Sequence, residues 1–220
     1  MKALLLAAGY GTRLHPVTKT TPKCLIEIGG KPLLGHWINH LKNDRITEIL
    51  VNTHHLPDLV TKYLEKFPSS QKIHQVHEKI LLNTGGTVVK NKKFFGSDPL
   101  MLIHADNLSI FNLNHFIQTY DRRQQGIEIT MMTFYTDTPS QAGIVKVNNE
   151  GKVVAFYEKK KNPPGNLANG AVYIISPGVI NFMVEQRKAS LDFSIDVIPK
   201  FIGKINTFHN SVYHRDIGTH

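Results

Sequence analysis

The sequence contains a single cysteine, Cys24, and no apolar run as long as the about 20 residues of a transmembrane helix. One cysteine cannot form an intrachain disulfide or a cysteine-based zinc site, in keeping with a reducing compartment. The short apolar run at the N-terminus, Ala3 to Ala8, continues directly into a glycine-rich turn and lacks the cleavage region of a signal peptide. We therefore expect a cytoplasmic protein without membrane contact.

Negative charge is scarce. The chain has 17 acidic residues and 26 lysines and arginines, which gives a net charge of +9. Such an excess suits a partner that carries phosphates. The lysines are scattered in short groups, without the dense tract or interleaved aromatic residues that are typical of a nucleic-acid interface. We therefore expect no nucleic-acid partner. The composition is that of an ordinary globular protein and gives no sign of a second independent unit.

Apolar segments of strand length alternate with longer amphipathic segments through the first half of the chain, which is typical of parallel strands covered by helices. The predicted strands are Ala3 to Ala7, Ile49 to Asn52, Ile73 to Val76, Leu100 to Ile103, Glu128 to Tyr135 and Ala171 to Ile175, with a hairpin of Ile144 to Val147 and Val153 to Phe156. The predicted helices are Leu33 to Leu41, Leu59 to Phe67, Gly85 to Phe95, and a short helix that begins after Asp192 as its N-cap and ends near Pro199.

The first predicted strand ends in a loop of small residues, Ala7, Ala8, Gly9, Tyr10, Gly11 and Thr12. Small residues allow backbone N–H groups to approach phosphates or a base closely. The third glycine of a dinucleotide-binding fingerprint is replaced by Leu14, and the Gly-Lys-Ser/Thr of a P-loop is absent. Taken alone, the loop is compatible with several phosphate-binding folds.

The residues that follow the loop distinguish between these phosphate-binding folds. Gly-x-Gly-Thr-Arg-Leu-x-Pro, with Arg13 and Pro16, is followed by Thr18 and by Pro22-Lys23. This pattern resembles the sugar-phosphate nucleotidyltransferase family, in its short single-domain form that transfers guanylyl, uridylyl or thymidylyl groups. The resemblance extends from residue 3 to residue 219. It implies a Rossmann-like three-layer α/β/α domain with a mixed, mainly parallel sheet over 1–220, with a nucleotide-binding part of about 1–110 and a sugar-binding part of about 111–220.

The reaction implied by this resemblance transfers a nucleoside monophosphate from a nucleoside triphosphate (NTP) to a sugar 1-phosphate, giving a nucleotide sugar and pyrophosphate, for cell-surface polysaccharide synthesis. Two polyanions have to be aligned, so charge neutralisation matters more than a nucleophilic side chain. Arg13 offers a planar fork for phosphate oxygens, and Lys23 supplies a compact charge for the transferred phosphorus. These two residues are the implied catalytic pair. The implied nucleotide-binding residues of the loop are Ala7, Ala8, Gly9, Gly11 and Thr12.

Two aspartates far apart in the sequence look like the metal-binding motifs of the family. Asp106 follows a buried-looking strand, at the edge of the sheet where ligand sites of α/β proteins lie, and Asp216 stands alone between Tyr213 and Thr219. Mg²⁺ is the implied cofactor, since it favours one or two carboxylates together with phosphate oxygens and water. The pair His54-His55 is not expected to bind a transition metal, because adjacent side chains point in different directions.

The segment from Glu78 to Thr87 resembles the Leu-Gly-Thr-x-Gly element that holds the nucleobase in this family, which implies roles for Glu78, Asn83, Thr84 and Gly85. Asn83 stands where the family usually has glycine; it tolerates an unusual backbone angle but adds an amide beside the base. The base therefore stays open among GTP, UTP, dTTP and CTP. The implied sugar-phosphate residues are Asn107, Gly143, Glu158, Lys159 and Asn169. The alternative for Glu158 to Lys161 is a solvated charged turn.

Two other functions make different predictions about the sequence. A cytidylyltransferase for a non-sugar phosphate such as phosphocholine would need an aromatic cage, and nothing brings Trp37 and Tyr157 together. A catalytically silent nucleotide-sensing subunit predicts loss of Arg13, Lys23 or one of the two aspartates, and all four are present. The sugar, the oligomeric state and the position of the natural C-terminus are left open by the sequence.

Overall fold

The computed structural model describes residues 1–218; Thr219 and His220, at the end of the segment that contains Asp216, lie outside the described residues. The strands are β1 (Lys2–Leu6), β2 (Glu27–Ile28), β3 (Lys31–Pro32), β4 (Glu48–Thr53), β5 (Lys72–His77), β6 (Leu100–His104), β7 (Asn107–Ile110), β8 (Ile129–Tyr135), β9 (Gly143–Val147), β10 (Val153–Glu158), β11 (Leu167–Ile175), β12 (Ile205–His209) and β13 (Tyr213–Asp216). The α-helices are α1 (Leu33–His40), α2 (Pro57–Lys66), α3 (Asn83–Lys90), α4 (Lys92–Phe95), α5 (Leu113–Asp121) and α6 (Pro177–Glu185).

The chain forms two compact units. The first contains Met1–Leu81, Met101–Ile110 and the described residues from Tyr213 to Gly218. The second contains Leu82–Leu100 and Phe111–Val212. Each unit therefore draws on more than one stretch of the chain. Among residues 1–218, no helix is both long enough and apolar enough to cross a membrane.

In the first unit the strands lie in the order β6-β1-β4-β5, with β1 parallel to β4 and β4 parallel to β5. Leu4, Leu5 and Val51 are fully buried, as expected for central strands covered on both faces. Ala105 N–H donates to the carbonyl of Leu6 at 3.0 Å, so β1 and β6 end side by side. The loops that follow these two strands consequently start at the same edge of the sheet.

A second, two-stranded sheet in the same unit connects distant parts of the sequence. Strand β13 pairs antiparallel with β7, and its register sets Asp216 opposite Asn107. The indole of Trp37, which is fully buried on α1, donates to the carbonyl of Asn107 at 2.8 Å. The pairing and the tryptophan hold the end of β13 beside residue 106.

In the second unit the strands lie in the order β10-β9-β11-β8-β12, and all of these neighbours are antiparallel except β8 and β12, which are parallel. Helix α5 packs against β8 and β12, and α6 packs against β11. The predicted hairpin of β9 and β10 is confirmed. Parallel strands in one unit and mostly antiparallel strands in the other, flanked by helices, confirm the predicted α/β class with a mixed sheet.

Of two predicted helices in the second unit, one is divided in the structure and the other is present. The single helix expected from Gly85 to Phe95 was wrong, because α3 and α4 are separated at Asn91, where φ is −101° and ψ is 15°. The Asn91 side chain donates to the carbonyl of Thr87 at 2.8 Å and stabilises this break. The helix after Asp192 is confirmed as a π-helical turn, Phe193–Val197, in which the N–H groups of Ser194 and Ile195 donate to the Asp192 carboxylate.

Candidate active site

The loop from Ala7 to Thr12, called the opening loop below, starts at the end of β1. Ala7 N–H donates to Asn52 Oδ1 at 2.7 Å. Gly11 has a φ of +64°, and a Cβ at this position would lie 2.9 Å from Cγ2 of the buried Thr18. Backbone angle and packing therefore both require glycine at residue 11.

Arg13, Lys23, Asp106 and Asp216 form a charged cluster beside this loop. Lys23 Nζ donates to Asp106 Oδ2 at 2.8 Å and lies 3.5 Å from Asp216 Oδ1. Arg13 Nη2 lies 3.6 Å from Asp216 Oδ2. The Lys23 side chain is only 8% exposed, whereas those of Asp106 and Arg13 are 45% and 60% exposed. The cluster therefore has a buried cation at its base and accessible groups above it.

The fold brings the four members together from three parts of the chain. Lys23 begins a 3₁₀ turn, Lys23–Leu25, and Asp106 follows β6. Asp216 ends β13, whose register with β7 sets it next to residue 107. Gly218 completes the arrangement, since a Cβ there would lie 2.6 Å from Arg13 Nη2. A larger residue at 218 would displace the guanidinium.

Electrostatics keep Asp106 ionised. Burial raises the pKa of Asp106, but the charge and hydrogen bond of Lys23, together with His104 and a backbone hydrogen bond, outweigh this effect and leave the pKa below its usual value. His214, which pairs with Ser109 across β13 and β7, has its pKa lowered to about 4 by burial and is neutral at pH 7. Burial raises the pKa of Cys24 to about 12, so its thiol is a poor nucleophile. The site is thus arranged for charge stabilisation.

The two carboxylates of the charged cluster are candidate ligands for a divalent cation. Asp106 and Asp216 already share one cationic atom, Lys23 Nζ, and both offer hard oxygen ligands. Across residues 1–218, no group of three or more histidine, cysteine, aspartate or glutamate side chains is arranged to hold a metal. A hard cation that takes two carboxylates and completes its shell with phosphate oxygens and water fits this donor set.

Glu78 lies behind the opening loop with only 1% of its surface exposed. Its carboxylate accepts a hydrogen bond from Asn52 Nδ2 at 3.1 Å, and Asn52 in turn binds the N–H of Ala7. Asn52 was missed by the sequence analysis; a polar residue at the carboxyl end of a central parallel strand was the available signal. The glutamate therefore reaches the loop through Asn52.

The remaining predicted nucleotide residues lie in the second unit. Asn83 has a φ of +60°, which confirms that this position needs an unusual backbone angle, and its amide donates to Ser190 Oγ at 2.7 Å. Thr84 Oγ1 accepts from the N–H of Phe193 at 2.7 Å, and Gly85 N–H donates to the carbonyl of Leu191 at 2.8 Å. These three residues hold the segment that leads into the π-helical turn.

The predicted sugar-side residues Gly143, Glu158 and Lys159 lie together where β9 begins and β10 ends. Gly143 is directly opposite Glu158, and a Cβ on it would lie 2.7 Å from Glu158 Oε2. Burial raises the pKa of Glu158, and Lys159, whose Nζ is 3.7 Å from the carboxylate, partly opposes the shift. Glu158 is partly buried, whereas Lys159, Lys160 and Lys161 are exposed, so the alternative of a solvated charged turn describes the three lysines but not the carboxylate.

Asn169 is fixed by its neighbours on β11. Its Nδ2 donates to the hydroxyl of Tyr173 at 2.6 Å, and its Oδ1 accepts from the N–H of Ala171 at 3.0 Å. Tyr173 is fully buried against Phe193, with ring centroids 4.8 Å apart, and was not identified from the sequence. Asn107, in the first unit, is 4% exposed. The Asn169 side chain is therefore held in place by two hydrogen bonds, and Asn107 is buried.

The chain matches the family model described as nucleotidyl transferase over residues 2–220. It is 34% identical over 198 residues to a probable mannose-1-phosphate guanylyltransferase 1 of Oryza sativa, which covers 87% of this chain and 54% of the relative. It is 30% identical over 226 residues to a mannose-1-phosphate guanyltransferase of Aspergillus oryzae, covering 99% of this chain and 61% of the relative. The chain thus spans little more than half the length of these relatives.

Solved structures share the fold. The putative glucose-1-phosphate thymidylyltransferase of Bacillus anthracis superposes with a TM-score of 0.88 at 23% identity, covering 100% of this chain and 91% of that one. The protein HddC of Yersinia pseudotuberculosis, complexed with GMP-PN, superposes with a TM-score of 0.81 at 24% identity, covering 99% and 93% of the two chains.

Proposed function

Because the chain belongs to the nucleotidyl transferase family, we propose that it transfers a nucleoside monophosphate from an NTP to a sugar 1-phosphate, with release of pyrophosphate. The charged cluster is the observation that carries this proposal. Lys23 Nζ lies between two carboxylates at the end of the parallel strands, with Arg13 beside them. The plant and fungal relatives are mannose-1-phosphate guanylyltransferases by name, so GTP and mannose 1-phosphate are the first pair to test.

The proposed reaction is one in-line displacement. A phosphate oxygen of the sugar 1-phosphate bonds to the α-phosphorus of the triphosphate, while the bond from that phosphorus to the β-phosphate oxygen breaks and pyrophosphate departs. Arg13, which is exposed, binds two phosphate oxygens of the incoming triphosphate through its planar guanidinium group. Lys23, which is shielded from water, stabilises the negative charge that grows at the transferred phosphorus.

Asp106 and Asp216 are the proposed ligands of Mg²⁺. When bound, the ion supplies positive charge that offsets the triphosphate and helps to orient it. The lowered pKa of Asp106 supports this role. Burial raises this pKa, but Lys23, His104 and a backbone hydrogen bond together outweigh burial, so the carboxylate stays ionised. The charged cluster holds two cations and two carboxylates, so it is close to neutral before the substrates bind.

The substrate-binding residues complete the proposal. We assign the nucleotide to the opening loop residues Ala7, Ala8, Gly9, Gly11 and Thr12, to Glu78, and to Asn83, Thr84 and Gly85. The absence of a side chain at Gly143 lets the Glu158 carboxylate and the Phe156 ring pack against this position, which holds Glu158 in place for a sugar hydroxyl. The proposed sugar-phosphate residues are Asn107, Gly143, Glu158, Lys159 and Asn169. The proposed setting is the cytoplasm, where nucleoside triphosphates are available, and the product serves cell-surface polysaccharide synthesis.

A matrix of nucleoside triphosphates against sugar 1-phosphates, read by pyrophosphate release with and without Mg²⁺, tests the proposal. Pyrophosphate release that needs both substrates and the metal ion supports it, and the fastest pair identifies the base and the sugar. Turnover of CTP with phosphocholine in place of a sugar 1-phosphate would support the non-sugar alternative. Nucleotide binding without release from any pair would support the silent sensing subunit.

A further inference from the structure

Two adjacent histidines that follow β4, His54 and His55, lie against the opening loop. The hydroxyl of Tyr10 lies 2.7 Å from His54 Nε2, and the two rings meet edge to face with centroids 5.1 Å apart. The ring of His55 also lies beside that of Tyr10, with centroids 5.8 Å apart, and its Nε2 lies 2.7 Å from the carbonyl oxygen of Thr18. Thr18 follows the loop and donates its hydroxyl hydrogen to the carbonyl of Gly11 at 2.8 Å. His54 therefore restrains the loop through Tyr10, and His55 restrains it through Tyr10 and, by way of Thr18, through Gly11.

The hydrogen-bond partners of His54 fix its tautomer and its orientation. His54 Nδ1 lies 2.6 Å from the carbonyl oxygen of Glu78, and a carbonyl oxygen only accepts, so Nδ1 carries the hydrogen. In the neutral ring Nε2 then has a free lone pair and accepts the hydroxyl hydrogen of Tyr10. The ring of His77 lies parallel to that of His54, at 7° with centroids 6.2 Å apart. Three neighbours thus set where His54 points.

The opening loop needs such restraint because of its glycines. Gly9 has no heavy atom within 4 Å of the place a Cβ would occupy, and Gly11 has a φ of +64°. Glycine gives the backbone more accessible conformations than any other residue. A loop whose N–H groups have to converge on phosphates binds more weakly if it must first be ordered. Tyr10 lies between the two glycines. A contact to its side chain can therefore restrict the backbone conformation of both.

We propose that His54 and His55 are positioning residues for the nucleotide. His54 acts through Tyr10, and His55 acts through Thr18, to hold the opening loop in the conformation that receives the triphosphate. The inference rests on the proposed function, since it takes the opening loop as the nucleotide-binding loop. Neither histidine contacts the reacting atoms in this scheme. Their effect therefore falls on nucleotide affinity and not on the chemical step or on the sugar 1-phosphate.

The Tyr10–His54 contact can be removed from either side. Tyr10→Phe deletes only the hydroxyl, whereas His54→Asn keeps an N–H donor for the Glu78 carbonyl and deletes Nε2. Loss of one partly exposed hydrogen bond should raise the KM for the nucleotide by about three- to ten-fold in each variant. The KM for the sugar 1-phosphate and kcat should change by less than about two-fold. The double variant should be no weaker than the weaker single variant, because both changes remove the same contact.

Two further variants control for general effects. Tyr135→Phe removes a hydroxyl from another exposed tyrosine, whose ring meets that of His209 with centroids 4.8 Å apart in the second unit, and should leave the nucleotide KM unchanged. For His55, glutamine can still donate to the Thr18 carbonyl, whereas leucine cannot. His55→Gln should therefore retain more nucleotide affinity than His55→Leu.

Hydrogen–deuterium exchange of the peptide 7–14, measured without substrates, tests the restraint itself. Exchange should be faster in Tyr10→Phe and in His54→Asn than in the wild type and in Tyr135→Phe. Unchanged exchange, or nucleotide effects of the two substitutions that multiply in the double variant, would overturn the inference. If the wild type transfers no nucleotide, the proposed function fails, and exchange together with dissociation constants for NTP and Mg²⁺ still decides the role of the histidines.

Discussion

Replacing Lys23 by methionine removes the ammonium group that lies 2.8 Å from Asp106 and 3.5 Å from Asp216, and keeps an unbranched side chain. The Lys23 side chain is almost fully buried, so its charge acts on the site with little screening by water. Loss of a preorganised electrostatic contact of this kind costs about 10²–10³ in kcat, or about 2.7–4 kcal/mol of transition-state stabilisation. We expect a loss of turnover in that range.

The effect on stability should be much smaller. Both carboxylate partners of Lys23 are about half exposed, and water can solvate them when the ammonium group is removed. Ion pairs that are accessible to solvent contribute at most about 1 kcal/mol to the free energy of unfolding. For a chain of this size, a loss of 1 kcal/mol lowers Tm by about 2–4 °C. The variant should therefore fold normally while losing most of its activity.

Lys2 provides a matched control for this substitution. It forms a lysine–carboxylate pair with Glu48 at the same distance, 2.8 Å, at the start of β1. Turnover measured by pyrophosphate release and Tm measured by thermal unfolding should be compared for the wild type, Lys23→Met and Lys2→Met. Turnover of Lys23→Met within a few-fold of the wild type, or an equal loss in both variants, would refute the assignment of Lys23.

Three further substitutions test other parts of the account. Asp106→Asn should abolish Mg²⁺-dependent turnover in a metal titration. Burial raises the native pKa of Asp106, but Lys23, His104 and a backbone hydrogen bond together lower it below the unfolded value. The stability that wild type gains over this variant at neutral pH should therefore decline in urea unfolding as the pH falls below the unfolded value of about 3.9. Gly11→Ala should lower Tm by several degrees and raise the nucleotide KM, since the residue has positive φ and its Cβ would press on Thr18. Gly143→Ala should raise the sugar 1-phosphate KM selectively in steady-state kinetics, because its methyl group would lie 2.7 Å from Glu158; an equal rise in the nucleotide KM would contradict this.

Local sequence patterns predicted the parts of the fold that depend on local burial. The apolar runs of β1, β4 and β6 mark strands covered on both faces, and the structure buries them as expected. The break at Asn91 was missed because apolar spacing continues across it. Helix α5 was also missed, although Asn112 caps it by accepting from the N–H of His115.

Only part of the charged cluster could be predicted from residue patterns in the sequence. Asp106 follows from the rule that ligand sites lie at the carboxyl ends of parallel strands. Asp216 was found by resemblance alone, because its place depends on the long-range pairing of β13 with β7. Asn52 and His54 act through contacts between loops that are distant in sequence, and no local spacing indicates such contacts. Contacts between residues that are distant in the sequence are therefore the part of the site that residue patterns could not predict.

Product analysis by ³¹P NMR tests the central claim most directly. Purified protein, supplied with GTP, mannose 1-phosphate and Mg²⁺, should form a nucleotide sugar and pyrophosphate in equal amounts, and the Lys23→Met variant should form both at least about 100-fold more slowly. Pyrophosphate without a nucleotide sugar, or no product from any combination of nucleoside triphosphate and sugar 1-phosphate, would contradict nucleotidyl transfer to a sugar.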